Sequence, residues 1–475
     1  MGPRPPDREP GVRMSDKKRR RSPRVSGEES DRPKVNPRRV AFDAISAVTA
    51  DNAYANLVLP RMLAETDNTG RDAALATELT YGTLRSLGTL EAILAAASGR
   101  DVRQLQQDLV DALCLGAYQL LYMRIPPHAA VATTVSLVKA AVSPRVSGLA
   151  NAVLRKVAAK DLEEWTTELA TGDRLHDLSL RYAHPQWISA EFEAVVGPDE
   201  LPPALAADNV APPVHLCAKP GRITKGDLSR ETRGGEHGQW SPYAVYLPSG
   251  DPGRIRAVAT GLAHVQDEGS QLVAVQLAET PLEGADTAWI DLCAGPGGKT
   301  GLLGALAAQR DATLDAVEIQ PHRAELVSKA ARGLPVTVHT GDGRTFGKAN
   351  SADRVLVDAP CSGLGALRRR PEARWRKQRS DIDDLVPLQR ELLASGLRLA
   401  RPGGIVAYVT CSPVIAETEE VVESVLKAGG AELVRPEWLH KKVPGSARGD
   451  FAQLWPHRHG TDAMFLALLR KTGNR

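Results

Sequence analysis

The apolar residues recur at helical spacing from Arg38 to about Lys160. The repeat is clearest in three segments, VAFDAISAVTA, AALATELTYGTLRSLGTLEAILAAA and LVDALCLGAYQLLYM. Apolar residues three and four positions apart lie on one face of a helix, where they can pack against other helices. The pattern therefore predicts an all-helical domain over residues 36–160.

The pattern changes after this region. Residues 161–285 mix helical runs with short strand-like pieces, such as PPVHLCAKP, and Gly- and Pro-rich stretches interrupt them. We interpret this region as a small α+β connecting module. Residues 286–472 alternate strand-like and helical segments, which is typical of a parallel sheet covered by helices on both faces. The chain is therefore predicted to be multidomain, with an α/β domain last.

Residues 1–35 differ in composition from the rest. They are rich in Pro, Arg, Ser and Glu and hold almost no large apolar residue, so we predict a disordered tail. Residues 1–40 carry 13 Lys/Arg against 6 Asp/Glu, whereas the whole chain has a formal charge of only +3. Such a basic arm can hold a polyanion such as RNA through counterion release. A merely solvated tail is the alternative.

The composition excludes several classes of protein. Hydrophobic residues make up 42% of the chain and charged residues 25%, which is typical of a globular protein. No apolar stretch approaches the roughly 18 residues that a membrane span needs, so we expect a cytoplasmic protein without a membrane partner. The five cysteines form no CxxC pair, which indicates reduced thiols. His457 and His459 lack a further ligand cluster, so we expect no metal site.

A glycine-rich turn separates a strand from a helix in the last domain. The apolar segment TAWIDLCA runs into GPGGKT at residues 295–300, and the helix-forming GLLGALAAQ follows. At such a turn the backbone can approach a ligand closely. The next strand-like segment, LDAVEIQ, contains Glu318, 20 residues after Gly298, at the spacing where a carboxylate meets a ribose diol. These features predict a nucleoside cofactor.

Two other cofactors compete for this loop. The GKT triplet suggests a phosphate-binding loop of the form GxxxxGK[ST], but that motif requires glycine where this chain has Cys293. A dinucleotide fold requires GxGxxG, whereas this loop has GxGG followed by Lys299. Asp342, in HTGDGR after another predicted strand, is placed to accept a hydrogen bond from an adenine amino group.

Two further predicted strands end in cysteine, in VLVDAPCSG with Asp358 and Cys361, and in VAYVTCSP with Cys411. Cysteines at such positions suit one reaction in particular, methylation of cytosine at carbon 5. This carbon is a poor nucleophile, and addition of a cysteine thiolate to carbon 6 activates it. Asp358 could accept from the exocyclic amine during that attack and, when protonated, donate to the ring nitrogen. Chemistry alone leaves open which cysteine attacks. The other three cysteines are expected to be small buried side chains.

The N-terminal segments AFDAISAV, ELTYGTLR, LGAYQLLYMRIPPHAAV and GLANAVLRKVA resemble the NusB-like RNA-binding domain. Residues 261–472 resemble the Sun/RsmB family of RNA 5-methylcytosine methyltransferases. The matching pieces include VQDEGSQLVA, DLCAGPGGKT, AVEIQPHR, DAPCSGLGALRRRPEARW, LLASGLRLARPGGIVAYVTCSP and HGTDAMFLALLRK, in the family's order. The NusB-like region points to the bacterial ribosomal branch of that family.

The resemblance implies a Rossmann-like class I methyltransferase domain that uses S-adenosyl-L-methionine on RNA, with small-subunit (16S) ribosomal RNA expected. It also implies that Cys411 is the nucleophile and that Cys361 assists product release. The implied cofactor contacts are Cys293, Ala294, Gly295, Pro296, Gly297, Gly298, Lys299, Glu318, Arg323, Asp342 and Asp358.

A basic stretch with one aromatic follows Cys361. Arginines can bind phosphates there, and the tryptophan can stack on an unpaired base. The alternative is a solvated helix face with the tryptophan packed inward. The predicted RNA contacts are Arg368, Arg369, Arg370, Arg374, Trp375 and Arg376.

Two other functions stay open at this point. One is a different RNA or DNA methyltransferase in which a cysteine is only structural. The other is a non-catalytic RNA-binding factor, as the helical domain and the basic tail suggest.

Overall fold

The structure is a computed structural model that describes residues 1–2 and 35–473. Almost all of the predicted basic tail, residues 1–35, lies outside the described residues. Within them, none of the helices combines the length and the apolar character that crossing a bilayer requires.

Six α-helices form the N-terminal region, as the helical spacing predicts. Asn36 begins the first of them by accepting a hydrogen bond from the Arg38 amide, and Pro37 occupies the first helical turn. Gly99, in a left-handed conformation with φ of 69°, ends the third. The helices are α1 (Pro37–Asp51), α2 (Ala55–Glu65), α3 (Gly70–Ser98), α4 (Gln107–Leu121), α5 (Pro127–Ala141) and α6 (Ser147–Val157). Their apolar faces share one core around Ile45, Leu90 and Leu113, which confirms the all-helical fold.

The connecting region contains an antiparallel four-stranded sheet in the order β2-β3-β1-β4. Its strands are β1 (Val214–Ala218), β2 (Glu236–His237), β3 (Ala244–Leu247) and β4 (Ala263–Val265). Its helices are α7 (Leu162–Glu168), α8 (Arg174–Arg181), α9 (Gln186–Val196), α10 (Leu201–Ala207), α11 (Lys225–Glu231), α12 (Arg256–Ala259) and α13 (Glu268–Glu279).

This region shares its core with the last domain. Phe192 of α9 and Leu205 of α10 pack with Leu367 and Trp455, and Leu272 of α13 packs with Trp289.

A nine-stranded sheet forms the centre of the last domain. Its strands are β5 (Ala288–Asp291), β6 (Thr313–Glu318), β7 (Val336–Thr340), β8 (Ala352–Asp358), β9 (Ala400–Thr410), β10 (Ala431–Val434), β11 (Ala447–Arg448), β12 (Phe451–Gln453) and β13 (Phe465–Lys471). The main path runs β11-β12-β13-β9-β8-β5-β6-β7, and β10 also pairs with β13. The helices are α14 (Gly298–Ala308), α15 (Pro321–Ala330), α16 (Ala373–Arg376), α17 (Arg379–Leu399), α18 (Glu419–Lys427), α19 (Glu437–Lys442) and α20 (Pro456–His459).

Strand β8 shows why helices cover both faces of this sheet. Val355 and Val357 point into a core with α17 and α18, whereas Leu356 points into the opposite core with α13 and α14. Successive residues of a strand face opposite sides, so an unbroken apolar strand needs a layer on each side. The predicted Rossmann-like α/β fold is confirmed.

The prediction of a parallel sheet is right for β5 to β9 and wrong for the later strands. β13 runs antiparallel to β9, β10 and β12. Only β11 and β12 are joined by a tight turn, whereas 54 residues separate β9 from β13 and 30 separate β10 from β13, so tertiary packing and not loop length sets these antiparallel pairings. The strand order reverses between β5 and β8, so their carboxyl ends open onto one crevice, the usual ligand site of such sheets.

Candidate active site

The loop between β5 and α14, together with the first two residues of α14, carries seven of the eleven predicted cofactor contacts. At Gly297 the backbone is left-handed, with φ of 106°. A Cβ built on Gly297 would lie 2.9 Å from the Val327 Cα of α15. Only glycine combines the conformational freedom and the absence of a side chain that this approach requires. The loop is therefore held close to α15, at the carboxyl edge of the sheet.

Glu318, at the end of β6, binds back onto this loop. Its Oε2 accepts from the Gly295 amide at 2.9 Å, and its Oε1 accepts from the Gln320 amide at 2.9 Å. A Cβ on Gly295 would lie 2.2 Å from Glu318 Oε2, so glycine is what allows the carboxylate to approach. Arg323 donates to the Gly295 carbonyl. Three predicted cofactor contacts thus form one hydrogen-bonded group.

Asp342 follows β7 on the same edge of the sheet. Its carboxylate accepts from the Arg344 guanidinium, with Nη2 and Oδ2 2.6 Å apart. These hydrogen bonds lower the pKa of Asp342. The side chain keeps 29% of its surface exposed, so the carboxylate can still accept from a ligand.

His264, on strand β4 of the connecting region, supports the same loop from behind. Its Nε2 lies 2.9 Å from the Gly298 carbonyl and 3.0 Å from Gln266 Oε1. Burial, with Lys219 nearby, lowers the pKa of His264 to about 4, so the ring is neutral and its Nε2–H can donate to these oxygens. Lys219 is buried and donates to the carbonyls of Gly261 and Ala330, which ties β1 to the end of α15.

The two cysteines at the strand ends meet although 50 residues separate them. Cys361 follows β8, Cys411 follows β9, and their sulfurs lie 3.4 Å apart. A hydrogen bond from Cys361 lowers the pKa of the Cys411 thiol, and Lys299 and Arg370 act in the same direction against burial and Asp358. The same hydrogen bond, together with burial, raises the pKa of Cys361. The sulfur–sulfur contact suits either thiol as the donor, and the pKa shifts favour a thiolate on Cys411 and a thiol on Cys361.

An ion pair lies beside the two sulfurs. Lys299 Nζ donates to Asp358 Oδ2 at 2.7 Å and joins the start of α14 to the end of β8. Burial disfavours the ammonium, but the negative charges of Asp358, Cys411 and Asp291 together outweigh it, so the pKa of Lys299 is raised. About a quarter of the Asp358 side chain, 27%, is exposed. Asp358 is therefore both anchored and accessible from the crevice.

Asp291 is a second carboxylate in this neighbourhood. It is 1% exposed, and one oxygen accepts from the Thr300 hydroxyl at 2.7 Å. The other oxygen, Oδ1, is buried without a hydrogen-bond partner among the described residues. Burial raises the pKa of Asp291 to about 7, and the negative charge of Asp358 adds to the effect.

The backbone of the segment after Cys361 also binds the second cysteine. The Gly365 amide donates to the Cys411 carbonyl at 2.9 Å, and the Ala463 amide donates to the Gly365 carbonyl at 2.8 Å. A Cβ on Gly365 would lie 2.1 Å from the Ala463 carbonyl oxygen, so this passage requires glycine.

The structure corrects the prediction that Arg374, Trp375 and Arg376 face RNA. Arg374 is fully buried, and its guanidinium donates to the Ala183 carbonyl and to Asn209 Oδ1, each at 2.8 Å. Burial lowers the pKa of Arg374 to about 10. All three side chains make contacts within the protein, where this segment packs against the connecting region and the helical domain.

Trp375 and Arg376 bind the helical domain itself. Trp375 Nε1 donates to the Leu84 carbonyl at 2.7 Å, and a Cβ on Gly88 of α3 would lie 2.4 Å from the indole. Arg376 donates to the carbonyls of Val48, Asn52 and Ala53. The last carbonyls of a helix lack partners within the helix, and a cation satisfies them at the end of α1.

Arg368 and Arg369 are also paired within the protein rather than free for phosphate. Both guanidinium groups bind Asp462 and Asp267. Asp267, whose pKa is held low by Arg369, His215 and Arg368 against its burial, precedes α13. The sequence prediction is therefore corrected here too, because two carboxylates distant in the chain occupy these arginines.

Arg370 is the exception in the basic stretch. It is exposed, has no carboxylate within ion-pair distance among the described residues, and lowers the pKa of Cys411 from the mouth of the crevice. Its guanidinium lies 6.0 Å from the ring of Tyr54, which is 53% exposed. An exposed cation and an exposed aromatic ring thus stand together at the rim of the site.

No cluster of three or more His, Cys, Asp or Glu side chains suited to a metal occurs in residues 35–473. His457 faces Glu200, and the Nδ1 of buried His459 accepts from the Trp455 amide.

Comparisons with known proteins agree with this architecture. The 16S rRNA methyltransferase RsmB/F family matches residues 279–470, and the NusB family matches residues 35–159. A ribosomal RNA small subunit methyltransferase B from Enterobacter sp. (strain 638) is 31% identical over 435 residues, which cover 88% of this chain and 97% of that protein. This chain belongs to the RsmB/F methyltransferase family.

Three further proteins are similar to this RsmB/F methyltransferase in sequence or in fold. A protein of Mycobacterium tuberculosis (strain ATCC 25618 / H37Rv) that bears the name "Putative methyltransferase Rv1407" is 50% identical over 446 residues, which cover 93% of this chain and 97% of that protein. The crystal structure of PH0851 covers 93% of this chain with a TM-score of 0.77 and 22% identity, and all of PH0851 is matched. NSun6 from Pyrococcus horikoshii covers 61% of this chain and 99% of that protein, with a TM-score of 0.53 and 18% identity. The two structures show a shared fold.

Sequence reasoning about this RsmB/F chain did not single out Glu417 or the serines beside the cysteines. Glu417 is fully buried and accepts hydrogen bonds from Ser362 and Ser412. In the sequence it stands in AETEE, where acidic residues are expected simply to begin a helix. The only available signal was the serine that directly follows each cysteine.

Proposed function

We propose that this chain transfers a methyl group from S-adenosyl-L-methionine to carbon 5 of a cytosine in RNA, with 16S ribosomal RNA as the substrate, through a covalent bond between Cys411 and carbon 6. The single observation that carries the proposal is the 3.4 Å contact between the Cys361 and Cys411 sulfurs beside the Lys299–Asp358 ion pair. One sulfur is favoured as thiolate and the other as thiol, which suits a nucleophile and its partner.

The crevice fits a nucleoside cofactor. Glu318 is fixed at the end of β6 as an acceptor, which suits a ribose diol, and Asp342 is an accessible acceptor for an amino group. Ile319, next to Glu318, leaves 57% of its surface exposed and offers an apolar contact for a base. S-adenosyl-L-methionine would supply an electrophilic methyl group when bound there. Residues 293–299, Arg323 and Asp358 would complete its surroundings.

The residues of the chain have distinct roles in this proposal. The Cys411 thiolate forms a bond to carbon 6, which makes carbon 5 nucleophilic. Asp358 accepts from the exocyclic amine and orients the ring. After methylation, carbon 5 loses its proton to solvent water, the C–H electron pair re-forms the double bond to carbon 6, and the bond between carbon 6 and Cys411 breaks with its electron pair returning to sulfur. The Cys361 thiol assists this departure, because its hydrogen bond stabilises the Cys411 thiolate that leaves.

The RNA must present the cytosine outside its stack, because carbon 6 is attacked from above or below the ring plane. In this proposal the exposed Arg370 holds a phosphate, and Tyr54, whose ring both Arg370 and Arg376 approach, stacks on a neighbouring base. Of the six RNA contacts predicted from the sequence, we retain only Arg370 in this proposal.

The test incubates wild type, Cys411→Ala, Cys361→Ala and the control Cys114→Ala with small-subunit ribosomal RNA and labelled S-adenosyl-L-methionine. Cys114 is buried in the helical domain, so its variant reports the effect of losing a cysteine away from the site. We expect 5-methylcytosine from wild type and the control, none from Cys411→Ala, and protein covalently trapped on RNA with Cys361→Ala. Formation of 5-methylcytosine by Cys411→Ala would contradict the assignment of Cys411 as the nucleophile. Absence of 5-methylcytosine with wild type would contradict the proposed function.

A further inference from the structure

Glu417 is a buried carboxylate without a cationic partner. It is 0% exposed, and no Lys, Arg or His among the described residues lies within ion-pair distance of it. Its carboxylate accepts four hydrogen bonds, from the Ser362 amide at 2.7 Å, the Ser362 hydroxyl at 2.5 Å, the Ser412 hydroxyl at 2.6 Å and Gln389 Nε2 at 3.1 Å. Four donors match the four acceptor sites of an ionised carboxylate.

This carboxylate connects the two reactive loops. Ser362 directly follows Cys361, and Ser412 directly follows Cys411, so each cysteine is next in sequence to a serine that donates a hydrogen bond to Glu417. An unpaired buried charge is costly, and well-packed apolar residues often replace buried ions without loss of stability. A purely structural link between these loops would therefore not need a charge.

We propose that Glu417 is a positioning residue that keeps the proton on Cys361 and aims that thiol at Cys411, so that Cys411 is the sulfur that attacks. The inference rests on the proposed function, because it assigns Glu417 to the same pair of cysteines.

The charges around the two sulfurs favour a proton on Cys361 over a proton on Cys411. Cys361 faces Cys411 and the negative charge of Glu417, which contributes, after the hydrogen bond and burial, to its raised pKa. Cys411 faces Lys299 and Arg370, which lower its pKa, and Asp358, which opposes them. Cys361 thus meets only negative charge, from Cys411 and Glu417, whereas at Cys411 two cations oppose the single carboxylate of Asp358.

The test measures alkylation of each cysteine by iodoacetamide as a function of pH, resolved by peptide mass spectrometry, on the full chain without RNA or cofactor. Glu417→Gln keeps the shape of the side chain and removes its charge. Glu419→Gln is the matched control, because Glu419 is two residues away and pairs with Arg448 at 2.7 Å. Initial rates are used so that modification of one cysteine does not affect the other.

With Glu417→Gln, we expect the pH midpoint of Cys411 alkylation to rise and that of Cys361 to fall, which reduces the preference for Cys411 by about tenfold or more, since one pKa unit is a factor of ten. The Glu419→Gln protein is expected to behave as wild type. An unchanged preference in folded Glu417→Gln overturns the proposal.

If Glu417→Gln does not fold, Ser412→Ala provides the second test, because it removes one hydrogen bond and leaves the Glu417 charge in place. We expect the preference for Cys411 to fall in the same direction but by less, because the Ser412 hydroxyl helps to hold the charged carboxylate between the two loops, and an unchanged preference overturns the positioning role. Alkylation needs neither RNA nor methyl transfer. If Glu417→Gln changes the preference as expected but wild type methylates no RNA, the role of Glu417 is supported and only the proposed function fails.

Discussion

The Trp375 indole donates a 2.7 Å hydrogen bond to the Leu84 carbonyl, across 291 residues of chain. Leu84 belongs to α3 of the helical domain, and Trp375 belongs to the segment that begins at Cys361. The helical domain and the reactive loop are therefore joined directly.

Trp375→Ala is expected to destabilise the protein by about 2–4 kcal/mol, because it removes a packed indole and leaves the Leu84 carbonyl without this donor. Urea denaturation measures the loss, and Trp375→Phe, which keeps a ring, is expected to lose less. RNA affinity measured on the folded protein is expected to stay close to wild type. Normal stability with weaker RNA binding would instead support the stacking role suggested by the sequence.

Cys361→Ala is expected to move the rising limb of the methylation rate to higher pH. The hydrogen bond from Cys361 lowers the pKa of Cys411, so its removal means that the reactive thiolate appears only at higher pH. Below the midpoint, each unit of this shift reduces the single-turnover rate of methyl transfer to RNA, with the trapped adduct counted, by about tenfold. The pH midpoint of Cys361→Ser, which keeps a hydrogen-bond donor, is expected to lie between those of wild type and Cys361→Ala. A superimposable pH profile for Cys361→Ala would exclude this coupling.

Gly295→Ala is expected to weaken S-adenosyl-L-methionine binding by about tenfold or more, or about 1.4 kcal/mol, because the new Cβ would lie 2.2 Å from Glu318 Oε2 and displace that carboxylate. Isothermal titration calorimetry measures the affinity. Gly148→Ala, whose Cβ meets nothing within 4 Å, serves as the control and is expected to bind normally. Equal affinities for the two variants would show that Glu318 does not contact the cofactor.

Asp291→Asn tests the buried carboxyl group. Its pKa of about 7 in the folded protein exceeds the value of about 3.9 for an unfolded chain, so unfolding releases a proton between these values. The stability that this group contributes is therefore present at low pH and is lost as the pH rises from about 4 to about 7. Because asparagine does not titrate, we expect the Tm of Asp291→Asn minus that of wild type to increase between about pH 5 and about pH 8. A pH-independent difference would contradict the raised pKa.

Arg370→Ala is expected to weaken RNA binding and to reduce the slope of log Kd against log salt concentration by about one, because one phosphate contact is lost. The Tm is expected to stay unchanged, since this guanidinium forms no ion pair with any of the residues that the structure describes. Arg254→Ala is the control, because the Arg254 side chain is 86% exposed in the connecting region. Loss of affinity without a change in slope would argue for a contact other than phosphate.

Much of the fold followed from local patterns in the sequence. Helical spacing predicts the N-terminal helices, and alternating segments predict the α/β domain, because both depend on residues only a few positions apart. The glycine loop, Glu318 and the two cysteine-bearing strand ends could be named for the same reason, since parallel strands bring their carboxyl ends to one edge. The antiparallel pairing of β13 could not be predicted from the sequence, because it depends on which distant strand lies beside β13 in the folded sheet.

The sequence by itself determined which residue types stand at the strand ends and where the helices and strands lie. Only the tertiary structure decided which charges are buried and what they meet. Arg374 and Trp375 belong to a basic stretch that is typical of RNA contacts, yet carbonyls from distant parts of the chain bind them. Glu417 stands in a run of acidic residues typical of a helix start, yet it lies between the two cysteine loops. Burial and hydrogen bonding depend on groups that folding brings together from far apart, and no short stretch of sequence contains them.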